Sequence, residues 1–126
     1  MIYLASPYSH PDPAVRAQRF REACRAAAAL VQAGRVVFAP VVHSHPLVEF
    51  GVPTDWAFWQ QTDQRFLEQC DEVVILMLDG WRESVGVEAE IEIARAFGKP
   101  TRFLEPSLGD TPGTPTLAHV ATEVAR

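Results

Sequence analysis

Four short apolar runs punctuate the chain: Ile2-Tyr3-Leu4-Ala5, Arg35 to Pro40, Val73 to Leu78 and Thr101 to Leu104. Each is too short for a helix and reads as a strand buried on both faces. The stretches between them carry helical period. Ala14 to Ala33 has an apolar stripe of Phe20, Cys24, Ala27, Ala28 and Val31, with Asp12 placed to cap it, Pro13 in its first turn and Gly34 as its stop. Thr54 is placed to cap a second helix that runs to about Cys70, with Trp56, Trp59, Phe66, Leu67 and Cys70 on its apolar side. A third lies between the Gly80 turn and Gly98-Lys99-Pro100. Strands alternating with helices predict an α/β fold: a three-layer, flavodoxin-like or Rossmann-like parallel sheet of order 2-1-3-4 with helices on both faces. Residues 1–126 read as one domain. Residues 105–126 form a Pro/Gly/Ser/Thr-rich loop, followed by a stretch from Thr116 to Arg126 that can form a closing amphipathic helix.

Two acids break the pattern. At about 100° per residue, Glu88, Glu92, Arg95 and Lys99 share the solvated side of the third helix, whereas Glu90 falls among Gly86, Val87, Ile91, Ile93, Ala94 and Phe97. On the preceding helix, Asp63 sits in the centre of the apolar side while Gln61, Gln64, Arg65 and Glu68 face away. Burying even a neutral polar group without a partner costs on the order of 2–7 kcal/mol. Three readings fit Glu90: an edge position that reaches water, a hydrogen-bonded structural acid, or a pocket residue at the carboxyl end of a strand. The same choice applies to Asp63. In the predicted sheet, the loops after strands one and three, Ser6 to Pro13 and Asp79 to Ser84, meet at the switch point where such folds bind ligands.

Composition narrows the classes. Apolar residues are 48% and charged residues 21%, which fits a globular body, and the net charge of −5 opposes a nucleic-acid backbone binder. No apolar run approaches the ~20 residues of a membrane span, and the start shows no basic leader, so the expected location is cytoplasmic. Cys24 and Cys70 read as buried thiols rather than a disulfide. His43 and His45, two apart in a segment read as extended, face one side; without further ligands nearby they suit substrate contact better than metal. No dinucleotide fingerprint or phosphate-cradling glycine loop is present, and no cofactor is expected.

The element Ser84-Val85-Gly86-x-x-x-Glu90-Ile91, followed by Ala94 and Gly98-Lys99-Pro100, resembles the nucleoside 2-deoxyribosyltransferase family and the related 2′-deoxynucleoside 5′-monophosphate N-glycosidases. The opening Ile2-Tyr3-Leu4-Ala5-Ser6-Pro7 and the spacing of Asp63 ahead of Asp71 are similar too. The likeness runs from residue 1 to about 105, and the Tyr-Leu-Ala-Ser-Pro-Tyr start is also that of a bacterial and phage group of small proteins in this superfamily. The resemblance implies a nucleoside or nucleotide substrate, Glu90 as nucleophile, Asp63 assisting departure of the base, and Tyr3 holding the nucleophile or the sugar. Ser6, Pro7, Tyr8, His43, His45, Trp59, Ser84 and Gly86 are the implied substrate contacts. A homodimer or higher homo-oligomer is implied by the same analogy. The first loop departs from nucleotide-acting relatives, which carry a Gly-Ser and an Arg there; here no Arg occurs before Arg16. Nucleoside and monophosphate, hydrolase and transferase, therefore stay open, as does a non-catalytic nucleotide sensor on the same fold.

Overall fold

A computed structural model describes residues 1–106 and the backbone of 120–122. Strand β1 (Ile2–Ala5) lies between β2 (Val37–Phe38) and β3 (Glu72–Leu76), and β4 (Thr101–Leu104) follows β3; all these pairs are parallel. This is the expected 2-1-3-4 order. A fifth strand, β5 (Val120–Thr122), pairs antiparallel with β4 and closes that edge. The stretch read as a closing helix thus has three extended residues in its middle, where Val120 and Thr122 are β-branched types that favour strands. The rest of that stretch lies outside the described residues.

The sheet is buried on both sides because its centre alternates. Tyr3, Ala5, Val73 and Ile75 pack in one cluster with Leu67, Val87, Ile91 and Ala94. Those last four come from α3 (Trp56–Gln69) and α4 (Val85–Ala96). Ile2, Leu4, Val74 and Leu76 turn the other way, to Leu30 of α1 (Pro13–Gln32) and Ala39. This two-sided burial is why the strands read as unbroken apolar runs rather than alternating ones.

Several boundaries differ from the sequence reading. Asp12 caps α1 as expected, accepting from the Ala14 amide at 2.9 Å. The inward side of that helix is Phe20, Ala23, Ala27 and Leu30; Val31, placed on the stripe by sequence, is 56% exposed. Alanine-rich helices give period little contrast, so the face is set by what the sheet accepts. Asp55, not Thr54, caps α3, its carboxylate accepting from the Phe58 amide. The larger change is α2 (Pro40–Val48), a helix where an extended segment was expected. Pro46 disfavours helix at the residue before it, but Pro40 suits a first turn, and Val41 is buried against Tyr8 and Ala23. That packing outweighs the proline.

Candidate functional site

Glu90 and Asp63 both face one cleft of about 600 Å³, at the carboxyl ends of β1 and β3. Residue exposure is 5% for Glu90 and 8% for Asp63. The cleft also receives Ser6, Tyr8, Trp59, Ser84 and Gly86, so seven of the eleven residues singled out from the sequence meet there.

The elements explain the convergence. Tyr3 on β1 is fully buried between the sheet and the α3/α4 layer, and its hydroxyl donates to Glu90 Oε2. Tyr3 thus stands behind Glu90 rather than on the cleft wall. Ser84 caps α4, its Oγ accepting from the Val87 amide at 3.2 Å. This cap sets the start of the helix and, six residues on, the direction of Glu90. Gly86 keeps the wall open: a Cβ there would lie 3.5 Å from Trp56 and 4.0 Å from Glu90 Oε1.

The electrostatics follow from burial. Desolvation pushes Glu90 up to about 8; the Tyr3 hydroxyl pulls it down and the Asp63 charge pushes it further up. Burial alone raises Asp63 to about 7. Burial and the neighbouring carboxylates hold the Tyr3 phenol well above its ordinary value, so it remains a donor. Two acids influencing each other titrate as a pair, and this pair retains protons near neutrality. It can accept one proton and release another, which is the requirement for acid–base or nucleophilic work on a bond between them.

Four of the sequence-derived residues lie off the cleft. Pro7 is fully buried beneath it. His43 and His45 do not share a side, because two residues along a helix are about 200° apart. His45 turns inward, its Nδ1 2.6 Å from the Tyr8 hydroxyl and its ring stacked on Phe20, so it supports a cleft residue. His43 is exposed, beside the rings of Phe38 and Trp59. Trp59 lines the cleft while its Nε1 donates to the Pro53 carbonyl at 2.8 Å. Tyr3 is the fourth, as above. Among the described residues no three His, Cys, Asp or Glu are grouped to hold a metal ion. No helix among them is long and apolar enough to cross a membrane.

Sequence reasoning missed Arg19, His10, Ser44, Trp56 and Glu83, which also line the cleft. Arg19 read as one of the arginines that cover the outside of α1. The missed signal was its place near the N-terminus of a helix that follows a cleft-bearing loop.

Comparison with known proteins fits this architecture. A family model described as Domain of unknown function (DUF1937) matches residues 1–105. Among curated proteins, none matches. Among solved structures, the chain is similar to a 2-deoxyribosyltransferase from the psychrotolerant bacterium Bacillus psychrosaccharolyticus. The two are 24% identical, and the alignment covers 87% of this chain and 75% of that one with a TM-score of 0.61. At that identity the likeness is one of fold, and it agrees with the resemblance read from the Ser84-to-Glu90 element.

Proposed function

This chain belongs to the DUF1937 family, and on that premise we propose that it breaks the N-glycosidic bond of a nucleoside or nucleoside 5′-monophosphate. The observation that carries this reading is the meeting of two buried carboxyls, Asp63 and a Glu90 backed by the Tyr3 hydroxyl, in one cleft at the sheet's switch point. The structural neighbour is itself a 2-deoxyribosyltransferase, which supports the reading.

In this mechanism a Glu90 oxygen attacks the anomeric carbon. The carbon–nitrogen bond breaks, its electron pair stays on the base, and Asp63 supplies the proton the base needs to leave. A covalent glycosyl–Glu90 ester results. Water, giving its proton to Asp63, or a second base then displaces the ester. The first case is a hydrolase and the second a transferase. Attack needs the negative charge on Glu90 and the proton on Asp63. Burial leaves Glu90, at about 8, a weaker acid than Asp63, at about 7; the Tyr3 hydroxyl works against that order, because a hydrogen bond to a carboxylate stabilises the charged form. Trp56 and Trp59 supply apolar wall for the base.

The test is incubation with a panel of nucleosides and monophosphates, followed by chromatography for free base and intact-mass measurement for a glycosyl adduct. The expected result is base release from the wild type, an adduct mapping to Glu90, and a loss of at least about 10³-fold in Glu90→Ala, in keeping with removal of a covalent nucleophile. Ligand-induced stabilisation with no release by any substrate would overturn the enzyme and leave a nucleotide sensor.

A further inference from the structure

Besides the acid pair, the cleft receives a cationic side chain. Arg19 of α1 reaches into it, with Nη1 donating to the Ser9 carbonyl at 3.0 Å and Nη2 to the Asp79 carbonyl at 3.2 Å. It therefore bridges the loops after β1 and β3. Among the described residues no carboxylate lies within ion-pair range of it, and a guanidinium has five N–H donors, of which these carbonyls take two. Gly80 makes room for it: a Cβ at that position would sit 2.6 Å from Nη2, and the residue holds a φ of 89° that favours glycine.

Three further features share the cleft with this cation. Ser6, on the same cleft, is 7% exposed, and its Oγ has no hydrogen-bond partner among the described residues. The ring of His10, also on the cleft, accepts the Asp12 amide at Nδ1, which leaves Nε2 to carry the donor proton. The N-terminus of α4 begins at Ser84 and Val85, both on the cleft wall, and favours negative charge. Glu83 and Asp55 on the cleft lining and Asp79 beside Arg19 are exposed acids, which water screens.

We propose that Arg19, with Ser6, His10 and the first turn of α4, forms an oxyanion subsite that takes the phosphate of a phosphorylated sugar. This rests on the glycosidic-bond reading and narrows it: the substrate is a nucleoside 5′-monophosphate rather than the free nucleoside. The sequence offered no arginine within the first loop. The fold delivers one from the helix behind that loop.

The test measures binding without a cleavable bond, by calorimetric titration of the wild type, Arg19→Gln, Arg19→Lys and Ser6→Ala with 2-deoxyribose and 2-deoxyribose 5-phosphate. The ratio of the two affinities is read, because loss of a purely structural clamp would weaken both ligands alike. The wild type should prefer the phosphorylated sugar at least tenfold. That preference should fall to within about twofold in Arg19→Gln, persist in part in Arg19→Lys, and drop in Ser6→Ala. No preference in the wild type, or one that survives Arg19→Gln, overturns the subsite. Base release by the wild type with no phosphate preference would retain the function and reject only the subsite. Phosphate preference without base release would do the reverse.

Discussion

The Tyr3–Glu90 contact decides how much chemistry the site can do. A carboxyl this deeply buried is held in its protonated form by desolvation, and among the described residues the Tyr3 hydroxyl is the group bonded to it that acts in the opposite direction. Tyr3→Phe removes that donor with little change of volume. We expect the rate of base release to fall about 10–100-fold, an effect of roughly 1.4–2.7 kcal/mol, with the limb of the pH–rate profile that reports ionisation of Glu90 displaced upward. A fall in rate with the profile unmoved would mean that Tyr3 acts on packing alone. The inward direction of Glu90 was legible from helical period, since Val87, Ile91 and Ala94 around it are buried while Glu88 and Glu92 are exposed. Tyr3 as its partner was not, because a contact across 87 positions depends on which face of β1 meets α4.

At the scale of elements, the first turn of α4 serves both folding and access. Gly86 lies in that turn, and glycine is about 1 kcal/mol less favourable than alanine inside a helix. An added methyl would meet Trp56 and Glu90 only at ordinary contact distances of 3.5 and 4.0 Å. Gly86→Ala should therefore leave the melting temperature unchanged or raised, yet lower kcat/KM more than tenfold by filling the cleft beside the nucleophile. Thermal unfolding and kinetics on one preparation check both halves. Ser84→Ala should act oppositely: loss of the cap to the Val87 amide costs about 1 kcal/mol of stability. Ser84 and Gly86 were singled out from the sequence only as implied substrate contacts; the capping role of Ser84 is a local signal that went unused. The helical state of α2 was not legible, because it depends on Val41 packing against Tyr8 and Ala23, and with it went the relation between His43 and His45.

For the molecule as a whole, the sheet order followed from the alternation of apolar runs and helical stretches together with right-handed crossovers. The antiparallel β5 did not, since nothing local in Val120–Thr122 specifies an edge partner. Helices α3 and α4 carry Asp63 and Glu90 into the interior beside a sheet buried on both faces, and this ties global stability to pH. In the unfolded chain both carboxyls titrate near their ordinary values of about 4; in the fold they keep protons to about 7 and about 8. Between those limits the folded state binds more protons than the unfolded state, so stability is lost as pH rises. Glu90→Gln replaces the acid with a neutral group of the same shape that can still accept from Tyr3. Its melting temperature should match the wild type near pH 5 and exceed it by several degrees near pH 8.5. Asp63→Asn should show the same crossing at slightly lower pH. Parallel melting curves for wild type and Glu90→Gln across that range would mean that Glu90 is ionised in the fold at neutral pH. The carboxylate would then be held by donors beyond Tyr3, and Glu90 would already carry the charge that attack requires, with Asp63 alone keeping the proton for the base.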